Sequence, residues 1–124
     1  MNKWEIIKEK CPKLYRNGIS FDCGYGWYEL LYNLSVKIES IIEDDEKRYP
    51  KPEIEMCATQ VKEKYGTLRF YMTCETSAIS ELIEDAEALS SQVCEICGSP
   101  GKIRGYLWFR VVCDKCYKEQ DERP

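Results

Sequence analysis

Cys94-Glu95-Ile96-Cys97 and Cys113-Asp114-Lys115-Cys116 are two Cys-x-x-Cys pairs, with residues 98–112 between them. That spacing suits one tetrahedral zinc ion held by four thiolates. No single turn presents four soft ligands at roughly 2.3 Å, but two short knuckles supply two each once the connecting chain brings them together. Gly98, directly after the first pair, permits the left-handed backbone that a knuckle uses. Between the pairs, Ile103-Arg104-Gly105-Tyr106 reads as a turn, and the β-branched and aromatic run Leu107-Trp108-Phe109-Arg110-Val111-Val112 reads as a strand. Residues 94–117 are therefore expected to form a two-hairpin zinc ribbon. All four ligand positions are cysteine, which leaves no open place for water or substrate, so the expected cofactor is one structural Zn2+. Two disulfides are the competing reading of the same residues. The opening Met1-Asn2-Lys3-Trp4-Glu5 is charged, unlike the apolar stretch of a secretory signal. The expected location is the cytoplasm, where a reducing environment favours metal over disulfide.

Composition narrows the function. Of 124 residues, 44% are hydrophobic and 12% aromatic, enough for a packed core. No apolar run approaches bilayer thickness, so no membrane association is expected. The 18 basic residues against 22 acidic ones argue against a chain whose main work is gripping phosphates, and direct nucleic-acid binding is not expected. Histidine is absent. That removes the Ser-His-Asp and Cys-His arrangements and the usual ligands of catalytic zinc. The carboxylates and lysines show no recognisable pairing, so the chain is not expected to be an enzyme.

Upstream of the ribbon, residues 1–93 read as an α+β core. Asn2 can cap a helix over about 2–11, with Trp4, Ile7 and Cys11 on one face and Pro12 ending it. Phe21 to Trp27 is expected to be an irregular link whose two glycines allow tight backbone. A helical stripe at positions 27, 30, 31, 34, 38, 41 and 42 predicts a helix over about 27–46. Its C-terminal Glu43-Asp44-Asp45-Glu46 opposes the helix dipole. Ile54 to Cys74 reads as a hairpin turning at Tyr65-Gly66. This register places Val61 opposite Phe70, Thr59 opposite Met72 and Cys57 opposite Cys74, all on one apolar face with Leu68. Gln60, Lys62, Lys64, Arg69 and Tyr71 fall on the other face. A helix over about 77–91, capped by Thr76 or Ser77, should bury Ile79, Leu82, Ile83, Ala86, Leu89 and Val93. Glu81, Glu84, Asp85 and Glu87 make its outer face acidic. Residues 118–124 are expected to be a fraying tail. The fold class is thus α+β, with helices packed on an antiparallel β-hairpin and a C-terminal four-cysteine zinc ribbon.

Three blocks carry a resemblance: Cys23-Gly24-Tyr25-Gly26-Trp27-Tyr28-Glu29-Leu30-Leu31, then Gln60 to Tyr71, then Ala86-Glu87-Ala88-Leu89-Ser90 leading into Cys94-Glu95-Ile96-Cys97-Gly98-Ser99-Pro100-Gly101. The chain resembles a group of small zinc-ribbon proteins carried by bacteriophages, prophages and other bacterial mobile elements. As a small acidic metalloprotein it also resembles the anti-CRISPR inhibitors that phages deploy against type II Cas nucleases. The resemblance carries over zinc binding at Cys94, Cys97, Cys113 and Cys116, and it implies a protein partner on a host nucleic-acid machine. The acidic candidates for the partner surface are Glu43, Asp44, Asp45 and Glu46, and Glu81, Glu84, Asp85 and Glu87. The alternative is a nucleic-acid-binding ribbon module or transcription accessory factor, supported by Lys102, Arg104, Arg110 and Lys115 interleaved with Trp108 and Phe109.

Overall fold

The computed structural model describes residues 2–105 and 108–121. Helix α1 (Lys3–Lys10) begins where Asn2 Oδ1 accepts the Glu5 amide at 3.0 Å. Strand β1 (Phe21–Asp22) leads through a short 3-10 turn (Tyr25–Trp27) into α2 (Tyr28–Arg48). Strands β2 (Ala58–Lys64) and β3 (Thr67–Met72) form a hairpin, followed by α3 (Ser77–Ser90). Strands β4 (Lys102–Arg104) and β5 (Arg110–Val112) precede α4 (Asp114–Asp121). The fold is α+β, and no described helix is long and apolar enough to cross a membrane.

The main sheet has the order β1-β2-β3. Strand β1 runs parallel to β2, with Phe21 beside Val61, where an irregular link was expected. A two-residue strand has no periodicity to read. It is held from outside by Trp4, whose ring stacks on Phe21 with centroids 4.5 Å apart. One core gathers Ile7, Leu14, Trp27, Leu31, Ile38, Val61, Leu68 and Ile79, each fully buried, so helices and hairpin share a single apolar interior.

Helix α2 buries Leu30, Leu31, Leu34, Ile38 and Ile42 of the predicted stripe, leaves Ile41 half-buried, and runs on to Arg48, with Tyr49 and Pro50 beyond. Trp27, the stripe's first residue, is buried in the preceding 3-10 turn. The acidic run at its end is partly neutralised within the molecule. Glu46 pairs with Lys13 at 2.5 Å and Arg16 at 2.7 Å, and Arg16 also pairs with Glu55. Two turns earlier, Glu39 is buried and accepts the Lys13 and Leu14 amides at 3.1 and 2.8 Å, fixing the 12–16 segment on α2.

In the hairpin, Tyr65 (φ 54°) and Gly66 (φ 90°) both have the positive φ of a type I′ turn. From Gln60–Tyr71 to Lys64–Thr67 the pairing follows the expected register, including Val61 opposite Phe70. Beyond Gln60 a bulge shifts it, and two expectations are corrected. Ala58 rather than Thr59 pairs with Met72, and Cys57 is not opposite Cys74, because its carbonyl accepts the Thr73 amide at 2.9 Å. The bulge keeps Ala58 buried with its amide on Leu14 O at 2.8 Å, leaves Thr59 exposed, and puts Cys57 inside but Cys74 outside. Met72, Lys62 and Arg69 are each half-buried.

Strand β3 is an edge whose outward amides are taken by α3. Leu68 N donates to Ser90 Oγ at 2.9 Å and Phe70 N to Glu87 Oε2 at 3.0 Å. This closes the edge to strand addition. Thr76 caps α3 through Ile79 N, and Leu89, expected inside, is half-exposed.

The ribbon differs from its sequence reading. Ile103 and Arg104 lie in β4 rather than a turn, and Trp108 and Phe109 precede β5 rather than joining it. Tyr106 of the expected turn and Leu107 of the expected strand lie outside the described residues. Among the described residues the ribbon has one two-stranded sheet, and the first knuckle contributes an isolated bridge between Val93 and Pro100. Lys118 to Asp121 continue α4 instead of starting a tail. The Cys116 amide, 3.4 Å from Cys113 Sγ, lies in the first turn of that helix and donates to the thiol.

Replacing Phe70, which is 3% exposed, by Ala should cost about 3–5 kcal/mol through the cavity left behind. Tyr71→Ala should stay within about 0.5 kcal/mol. Urea unfolding of both variants at saturating metal checks the register, and a reversed ranking would contradict it.

Candidate metal centre

The chain reaches the first knuckle directly from α3. Cys94 N donates to Ser99 O at 2.7 Å and Gly98 N to Cys94 O at 2.9 Å, folding 94–99 into a tight loop with Gly98 at φ 85°. Cys113 and Cys116 come from the end of β5 and the first turn of α4. The four Sγ atoms of Cys94, Cys97, Cys113 and Cys116 all lie within 4.8 Å of one another, and those of Cys97 and Cys113 are 3.6 Å apart. Four thiolates at 2.3 Å from one tetrahedral ion would sit about 3.8 Å apart, so the cluster is positioned to hold a single metal ion. Cys94, Cys113 and Cys116 are buried, while Cys97 faces solvent.

The thiols are electrostatically unlike. Hydrogen bonds from Ser99 hold Cys97 down to about 6. Burial, and then the neighbouring thiols, push Cys116 well up. A divalent ion removes that conflict, since it replaces the protons of crowded thiols by one shared charge. Outside the cluster, Cys11 and Cys23 are each pushed up to about 12, Cys11 by burial and then Glu39, and Cys23 by burial and then Glu95. Both are therefore protonated and poorly nucleophilic near neutrality.

The first knuckle is seated on the glycine-rich link. Gly26 N donates to Glu95 O at 2.7 Å, Gly24 N to Glu95 Oε2 at 2.8 Å, and Trp27 Nε1 to Val93 O at 2.9 Å. A Cβ on Gly26 would lie 2.1 Å from Cys94 O, and one on Gly24 would lie 2.3 Å from Glu95 O. Only glycine allows that approach. Glu95 is 4% exposed, with its amide on Val111 O at 2.9 Å. Its Oε1 accepts no hydrogen bond, and Arg110 Nε lies 3.5 Å away. The sequence offered the tight glycines but no signal for what they approach. Glu95 is a non-ligand position between two cysteines, and its role follows from a contact 71 residues away in sequence.

The acidic candidates divide. Glu43, Asp44, Glu81, Glu84 and Asp85 are exposed, and among the described residues they form no ion pair. Asp45 is half-buried, Glu46 is engaged with Lys13 and Arg16, and Glu87 holds the Phe70 amide.

The basic and aromatic candidates cluster elsewhere. Between Ala58 and Met72, Lys62, Lys64 and Arg69 face Glu63 alone, and between Ile96 and Lys118 the five lysines and arginines face Asp114 alone. Arg104 is committed to Asp114 and to the Tyr117 ring, 4.8 Å from its guanidinium, and Arg110 lies beside Glu95. Lys102 and Lys115 remain exposed, as do Trp108 and Phe109. Tyr65, read from sequence only as a turn residue, is exposed at the hairpin tip, next to Gly66, which lies against Phe109.

Comparison with models of known protein families, with characterised proteins and with solved structures finds no match in any of the three.

Purified protein should carry about one equivalent of metal per chain by elemental analysis, and Cys113→Ser should lose it. Acidification should release the metal, because binding requires thiolates and protons compete with the ion. The bound ion keeps its ligands deprotonated below the pH at which the free thiols would take protons, so release should come in acid and be reversed on neutralisation with added metal. Metal content that does not respond to acid at all would contradict a thiolate site. Gly26→Ala should destabilise the fold by roughly 1–3 kcal/mol or more, because backbone and not a flexible side chain blocks the new methyl. Thermal unfolding at fixed metal concentration measures this.

Proposed function

We propose that this chain is a small, non-catalytic protein of phage or prophage type, carrying one structural zinc, that inhibits a bacterial nucleic-acid enzyme by binding it. The most specific candidate target is a type II Cas nuclease. Zinc is the element proposed because four thiolates with no open position suit a closed tetrahedral site. The observation that carries the reading is the set of exposed, unpaired carboxylates Glu81, Glu84 and Asp85 on α3 and Glu43 and Asp44 on α2. They present negative charge from rigid helices, as a competitor for a groove that normally holds phosphates would.

The test is target cleavage by a purified, guide-loaded type II Cas nuclease with increasing amounts of the metal-loaded protein. Inhibition is expected, together with co-elution of the two proteins on gel filtration in the absence of target DNA. It should weaken as salt rises, because exposed charges are screened within about 8 Å at physiological ionic strength. Reversing Glu81, Glu84 and Asp85 to Lys should abolish inhibition while leaving metal content unchanged. Full-rate cleavage and separate elution with the wild type would overturn the proposal for this target.

A further inference from the structure

We propose that the hairpin tip and the ribbon together form a stacking platform for single-stranded nucleic acid. This surface is separate from the acidic helices and goes beyond the inhibitor reading without depending on it. Tyr65 is 71% exposed, Trp108 81% and Phe109 43%. They come from two segments distant in sequence that the fold makes neighbours. A Cβ on Gly66 would lie 3.4 Å from Phe109 Cβ, so the type I′ turn rests against the ribbon just beside Trp108. Tyr65 stands at positive φ there, a conformation uncommon for an aromatic residue, and its ring is left exposed at the tip.

The platform is flanked by cations. Lys64 Nζ lies 5.7 Å from the Tyr65 ring centroid. Lys102 is exposed on β4, three residues before Gly105, whose backbone closes on Trp108 O. Among the described residues neither lysine is ion-paired, and Glu63, the one acid of β2, turns its carboxylate back to accept the Gly66 amide at 3.3 Å. The net charge of −4 is unevenly spread, since α2 and α3 together carry 10 of the 22 acidic residues.

Exposed rings bordered by lysines match what a single strand offers: unstacked bases and phosphates. A duplex hides its base faces and would use only the lysines. An apolar pocket on a protein would accept the rings, but it leaves the surrounding excess of positive charge unanswered. Single-stranded nucleic acid satisfies both features.

The test uses the metal-loaded full chain and a fluorescein-labelled oligothymidylate of about 12 nucleotides, read by anisotropy and by quenching of Trp emission. Binding should exceed that of a duplex of equal length and fall with salt. Trp108→Ala with Tyr65→Ala should weaken it at least about 10-fold, since each stacked base is worth about 1–3 kcal/mol. Lys64→Glu should weaken it and lower the salt slope by about one. Reversal of Glu81, Glu84 and Asp85 should not weaken it, which separates this surface from the proposed inhibitor face. No binding by folded, metal-loaded protein at low salt would overturn the proposal. Binding unchanged in the double aromatic variant, or a preference for duplex, would overturn it too. Loss of nuclease inhibition in that variant, with no oligonucleotide bound by the wild type, would make the rings a protein contact, and the proposal would fall.

Discussion

Two backbones meet with no side chain between them where Gly24 to Gly26 lie against Cys94 and Glu95. The glycine face of this contact tolerates neither insertion nor a methyl group. Through it the metal knuckle is continuous with the 3-10 turn that starts α2, and Trp27, fully buried, fastens the same junction by donating to Val93 O. A thiolate metal site of this kind contributes on the order of 10 kcal/mol to folding its segment. A metal held by the four clustered thiols would therefore also brace the 3-10 turn that leads into α2, joining the ribbon's own buried cluster to the main core.

A second feature is the use of carboxylates as backbone acceptors between elements. Glu39 ties α2 to the 13–14 amides, Glu87 ties α3 to β3, and Glu95 ties the knuckle to Gly24. Each satisfies a donor that no regular ladder serves, and each joins segments whose packing would otherwise rest on apolar contact alone. Removing one would leave a buried or half-buried amide unsatisfied, a loss of about 1–3 kcal/mol. An acidic composition therefore does two jobs: part of the charge is internal and structural, and another part lies on exposed helix faces.

What the sequence by itself determined is the set of features fixed by local pattern. The double Cys-x-x-Cys spacing placed the four clustered thiols, the 3.6-residue stripes placed α2 and α3, Asn2 and the Thr76-Ser77 pair placed two helix starts, and Tyr65-Gly66 placed the turn with its first pairs. Those signals lie within one element or one turn, where covalent geometry limits the choices. Tertiary structure alone decided the rest. The bulge at Thr59 answers to Leu14, the pairing of β1 answers to Val61, and the burial of Glu95 answers to Gly24 and Arg110. The neighbourhood of Gly66 and Phe109 exists only because hairpin and ribbon meet. Each of these depends on a partner distant along the chain, and no local periodicity encodes which distant residue will supply the acceptor or the ring.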